Sequence, residues 1–113
     1  MDILDQSKID RLASEIGEEN VPVLLEIFLG ELQMYIDKLA QIEGAEQEQY
    51  LKEISHALKS SAASFGAEAL RAYSVEVDSC AKSGTALDSE SNKQQMLSLL
   101  GETQQRYQQL FDQ

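Results

Sequence analysis

The chain has one cysteine, Cys80, so no intrachain disulfide and no cysteine metal cage can form; a reduced, packed thiol is its ordinary reading. Basic residues are also scarce. Nine Lys and Arg stand against 20 Asp and Glu, a net charge of −11, which argues against nucleic acid, whose phosphates must be neutralised by cations, and equally against an anionic membrane surface. No run approaches the roughly 20 apolar residues of a membrane span, and the chain opens Met1-Asp2-Ile3 without a basic or apolar leader. A cytoplasmic protein whose partners are other proteins is expected. No glycine-rich phosphate loop occurs, and no Asp or Asn set is placed beside one for Mg2+, so the chain should not phosphorylate itself. Strand-like alternation is missing as well. The 113 residues can bury one modest core, which makes 1–113 a single all-helical domain.

What is present is a series of helical periods. Ser7 is placed to cap a short first helix carrying Ile9, Leu12, Ala13 and Ile16, ended by Gly17. Asn20 before Val21-Pro22 opens a second helix, because proline is tolerated in a first turn where its missing N–H has no partner. That helix runs to Gly44, and Val21, Leu24, Leu25, Phe28, Leu32, Tyr35, Ile36, Leu39 and Ile42 form its apolar face. Val23, Ile27, Gly30 and Met34 make a second line at i, i+4, i+7 and i+11 on the side that should be polar. Either the first helix covers this line or a partner docks on it. A third helix spans Glu46 to Gly66, and a fourth carries Leu70, Tyr73, Val77 and Ala81 to near Gly84. After a loop over 84–91, Ser91-x-x-Gln94 has the form of a capping box. The last helix follows, with Met96, Leu99, Leu100, Thr103, Tyr107, Leu110 and Phe111 on one face. The many glutamines, Gln47 among them, fall mostly on polar faces. The expected architecture is an antiparallel up-down four-helix bundle with a short extra N-terminal helix.

The third helix holds the only histidine. On a helical wheel Tyr50, Ile54, Ala57, Leu58, Ser61 and Phe65 share the buried sector. His56 lies opposite it, with Lys52, Lys59 and Ala63 on its side and Ser60 at the shoulder. An exposed imidazole is largely neutral and nucleophilic near neutral pH. Lys59 at i+3 offers a cation within reach, and Ser60 at i+4 is small enough to leave the ring open to approach. That set suits a group that accepts a phosphoryl, whose added charge a lysine offsets through charge-assisted hydrogen bonds.

The run His56-x-Leu58-Lys59-Ser60-Ser61-Ala62-x-x-Phe65-Gly66-x-x-x-Leu70 resembles the signature of histidine phosphotransfer (HPt) domains, with Ser60 where the family usually has glycine. Glu15-Ile16-Gly17, Asn20 to Leu25 and Ile27 to Glu31 extend the resemblance, in particular to members that serve bacterial quorum-sensing phosphorelays. The resemblance implies a helical bundle in which His56 takes a phosphoryl group from the receiver domain of a hybrid sensor kinase and passes it, reversibly, to a downstream response regulator. It further implies a monomer with no cofactor of its own, the receiver bringing Mg2+. Asp78, twenty-two residues after His56, falls where the family often carries Glu or Gln bonded to the histidine's other ring nitrogen; its shorter side chain leaves a solvated surface Asp as the alternative.

Three rival readings share features of this sequence. Glu53-x-x-His56 has di-iron bundle spacing, but such a site needs a second motif and the chain has no second histidine. A histidine-kinase dimerisation helix would resemble His-Glu-x-x with a proline soon after, whereas Ala57 follows His56 and Pro22 is the only proline. A helical adaptor that binds through the Val23 to Met34 line without being phosphorylated is the remaining alternative.

Overall fold

Two glycines in the left-handed region set the corners between which the chain is folded. Gly44 (φ +67°) opens one helix and Gly66 (φ +77°) closes it, a conformation that costs a residue with a Cβ but not glycine. The computed structural model describes residues 2–84 and 89–111. Among the described residues five α-helices follow one another: α1 (Gln6–Ile16), α2 (Val21–Gln41), α3 (Gly44–Phe65), α4 (Glu68–Lys82) and α5 (Ser89–Phe111), with a 3-10 turn at Glu18–Asn20 before α2. No strand occurs among the described residues. The four longer helices make the bundle, and α1 lies across one end of it, as the apolar periods imply.

The core is the apolar faces of α2, α3, α4 and α5. Leu32, Leu39, Leu51, Leu58, Leu70 and Leu100 are fully buried, each worth about 1.5–3 kcal/mol of transfer free energy. Phe28 stacks on Phe65 at 4.6 Å and meets Tyr107 edge-on at 5.5 Å. The Tyr107 hydroxyl donates to the Phe65 carbonyl at 2.5 Å, satisfying one of the carbonyls that the end of α3 leaves without a helical partner. Burial pushes this phenol's pKa well above its ordinary value.

The N-terminal segment is tied down at Gly66. Asp5 N–H donates to the Gly66 carbonyl at 2.7 Å, and Ala69 N–H donates to the Asp2 carbonyl at 3.1 Å. A Cβ on Gly66 would stand 2.7 Å from the Asp5 carbonyl oxygen and 2.8 Å from the Lys8 Cβ. Gly66 is therefore required twice, for its backbone angle and for the close approach of α1.

Several boundaries differ from the sequence reading. Asp5, not Ser7, caps α1: its carboxylate accepts from the Ser7 N–H at 3.0 Å and the Ser7 hydroxyl at 2.6 Å, since the cap must precede the helix by one residue. Helix α2 stops at Gln41 because Ile42 turns extended (φ −108°, ψ 155°) to pack half-buried against the core. Gln47 is buried and partnered rather than on a polar face. Helix α5 starts two residues ahead of the expected cap, with Glu90 in the first turn, where a carboxylate suits the positive end of the helix. The loop expected over 84–91 falls partly on 85–88, outside the described residues, as does the side chain of Phe111.

Candidate functional site

The buried face of α3 keeps Tyr50, Ile54 and Leu58 and extends over Leu51, Ser55 and Ala62, so that its centre is rotated by roughly 40° from that of the sector expected at 100° per residue. Ala57, expected inside, is exposed, and Ser61 and Phe65 are half-buried. The cause is α4, with which α3 shares the most extensive contact in the bundle. Ser55 and Ala62 on α3 and Ser74 on α4 are fully buried, and side chains this small let the two helix axes approach closely. After this rotation His56 still points away from the core, with 67% of its side chain exposed.

The close approach brings Asp78 to the histidine. Asp78 is buried, not a solvated surface residue, and its Oδ1 stands 3.3 Å from His56 Nδ1. The short carboxylate spans the gap because small residues have narrowed it. The other oxygen, Oδ2, takes two ammonium groups: Lys59 Nζ from α3 at 2.6 Å and Lys82 Nζ from α4 at 3.0 Å. The hydrogen bond from Lys59, then that from Lys82, lowers the Asp78 pKa to about 2, so it is ionised at neutral pH. A carboxylate facing Nδ1 favours the tautomer with the proton there. The lone pair is then on Nε2, on the outer side of the ring.

Lys52 stands one turn before His56 but is occupied by Glu48, 3.6 Å away. Ser60 is exposed one turn after His56. Ala63 lies further along, where it and Ser64 line a cleft of about 230 Å3 with Lys8, Arg11, Leu12 and Glu15 of α1. The first helix thus forms a wall near the histidine's face, a placement that no spacing within α3 signals. Lys82 was also missed by sequence reasoning; its i+4 relation to Asp78 was the available signal.

The apolar line on α2 is uncovered: Val23, Ile27 and Met34 are 55%, 64% and 57% exposed, and Gly30 is open. Cover by the first helix is thereby ruled out. Ile9 and Ala13 of α1 instead border a notch at the bundle end with Val21, Pro22, Leu25 and Leu110. Met34 lines a groove with Tyr35, Lys38, Tyr50, Glu53 and Ile54, which carries the line across to α3 one turn before His56. Glu53 itself is exposed and accepts from Gln49 at 3.4 Å. Among the described residues no three His, Cys, Asp or Glu are grouped to hold a metal ion, and no described helix is long and apolar enough to cross a membrane.

Comparison with known proteins agrees with this geometry. The model of the family described as Hpt domain matches residues 23–112. The phosphorelay protein LuxU of Vibrio cholerae is 60% identical over 104 residues, covering 92% of each chain. Proteins of the same name from Vibrio vulnificus and Vibrio harveyi are 53% and 51% identical, covering 95% and 94% of this chain and 93% of each relative. No solved structure matched the chain. With a histidine displayed on a bundle helix, and with family and relatives aligned over nearly its whole length, the chain belongs to the Hpt domain family.

Proposed function

We propose that His56 is the phosphoacceptor of this phosphorelay protein, acting through Nε2. The observation that carries the reading is the pairing of an exposed ring with an ionised, buried carboxylate at its other nitrogen. The Nε2 lone pair attacks the phosphorus of a receiver's aspartyl phosphate in line with the P–O bond. The N–P bond forms as the P–O bond breaks, and that electron pair returns to the receiver's carboxylate. The proton stays on Nδ1, and Asp78 faces the positive charge that the ring acquires. Delivery to a second receiver is the reverse of these steps. Mg2+ and the remaining catalytic groups belong to the receivers.

The partners on this reading are the receiver domain of a hybrid sensor kinase and a downstream response regulator, in a cytoplasmic quorum-sensing relay, with the chain acting as a monomer. The Val23, Ile27, Gly30 and Met34 line is the apolar part of the landing site, reached from His56 across the groove between α2 and α3. Ser60 and Ala63 keep the approach to the ring open, and Lys52 lies at its edge. An adaptor that is never phosphorylated would use the same apolar line, so transfer of label separates the two readings. Incubation with a receiver carrying labelled phosphate should label the wild type, with the acid lability of phosphohistidine, and leave His56→Gln unlabelled with an unchanged melting temperature. A label that persists in His56→Gln, or that survives acid, refutes the assignment.

A further inference from the structure

We propose that Lys82 is a positioning residue, one that holds Asp78 so that Lys59 can leave it for the phosphoryl group on His56. The inference rests on His56 being the phosphoacceptor. It starts from an excess of cations at one atom. Asp78 carries a single negative charge, yet its Oδ2 is shared by Lys59 Nζ at 2.6 Å and Lys82 Nζ at 3.0 Å. Two ammonium groups on one oxygen repel each other, so each is more easily given up than it would be if it held the carboxylate alone.

The two lysines are not equivalent. Lys82 is on α4, one helical turn from Asp78. Lys59 is on α3, one turn from His56, so it is the lysine whose own helix carries the nucleophile. Addition of a phosphoryl to Nε2 places a new charge of roughly −2 beside the ring. The phosphoryl sits on the outer side of the ring and Asp78 on the Nδ1 side, so pairing with the phosphoryl draws Lys59 away from the carboxylate it now holds at 2.6 Å. If no other cation held Asp78, that move would leave its Oδ2 without a partner and only the ring at Oδ1, which is unfavourable for a buried carboxylate. With Lys82 in place the carboxylate stays ionised and keeps facing Nδ1 while Lys59 moves. Lys82 therefore acts through Lys59 and need not touch the phosphoryl itself. Lys52 does not replace it, being paired with Glu48 at 3.6 Å.

The test is a double-mutant cycle read by the rate of phosphoryl transfer from a labelled receiver and by the lifetime of phosphohistidine. Lys59→Ala and Lys82→Met should each lower both by about fivefold, the change that a loss of about 1 kcal/mol gives. The double variant should be no worse than Lys59→Ala, because the two losses are one loss. Lys82→Arg should restore most of the wild-type behaviour. A readout independent of rate is the Lys59 Nζ resonance in nitrogen NMR, which should shift on phosphorylation in the wild type and stay in place in Lys82→Met. Wild-type behaviour of Lys82→Met overturns the proposal, as does a double variant whose loss is the product of the single losses, since Lys82 would then act on the phosphoryl directly. A wild-type chain that takes no label overturns the phosphoacceptor reading and this inference with it, an outcome distinct from a labelled wild type with an inert Lys82.

Discussion

Replacing Ile27 or Met34 with aspartate should separate binding from folding. Full burial of an Ile or Met side chain is worth about 1.5–3 kcal/mol. Ile27 is 64% exposed and Met34 is 57% exposed in the free chain, so about 1–2 kcal/mol of that is still available to a partner at each position. Losing it weakens receiver binding by about 5- to 30-fold. The carboxylate adds to this, because it must be desolvated in the complex and joins a chain already at −11. Stability should change by no more than about 0.5 kcal/mol, the usual range for a surface substitution. Calorimetric titration of a receiver with wild type, Ile27→Asp, Met34→Asp and the volume-conserving Met34→Leu gives the affinities, and circular dichroism gives the melting temperatures. Met34→Leu should bind like wild type. Wild-type affinity in both aspartate variants would refute the reasoning and move the landing site off α2.

Three further outcomes follow from particular contacts. Gly66→Ala should destabilise by about 2 kcal/mol or more, since it adds the left-handed cost to a clash with the Asp5 carbonyl, and should lower the melting temperature by about 8 °C or more; a loss of under 2 °C would mean that α1 shifts without cost. Asp78 has a folded pKa of about 2, below its unfolded value, so its contribution to stability is fully present above about pH 4 and is lost as the pH falls through its folded value. Urea midpoints between pH 5 and pH 2 should accordingly fall more steeply for wild type than for Asp78→Asn, and parallel curves would contradict the pairing. Ser60→Trp should block transfer while melting like wild type, because Ser60 is exposed one turn from His56; normal transfer would mean that the receiver approaches from another side.

Direction was legible in the sequence, and reach was not. Helical period alone placed His56 outward and the Val23 to Met34 line on a face apart from the core, because both statements concern angles about one helix axis. Whether α1 covered that line depended on where α1 docks, which is decided by two backbone hydrogen bonds near Gly66 that no period encodes. Asp78 is the sharper case. Its distance to His56 is set by how closely α3 and α4 pack, and Ser55, Ala62 and Ser74 set that distance. A sequence shows these as small polar or neutral residues, equally at home on a surface. The same packing turned α3 and exposed Ala57, so one cause accounts for both the misplaced face and the doubt over the aspartate.

The resting charges around the histidine bear on how a partner finds it. Lys59 and Lys82 are both committed to Asp78, and Lys52 to Glu48, so the cations nearest the ring present little free positive charge to an approaching receiver. In a chain of net charge −11 there is little other positive charge to steer a receiver toward this face. Encounter therefore has to be selected by shape and apolar contact, for which the open line on α2 is suited, and not by long-range attraction. On the proposed mechanism, positive charge becomes available at the ring only after a phosphoryl has arrived and drawn Lys59 away from the carboxylate. The separation has a functional consequence: a site that showed its lysines before transfer would attract any anion, whereas one that holds them on an internal carboxylate answers chiefly to the charge placed on its own histidine.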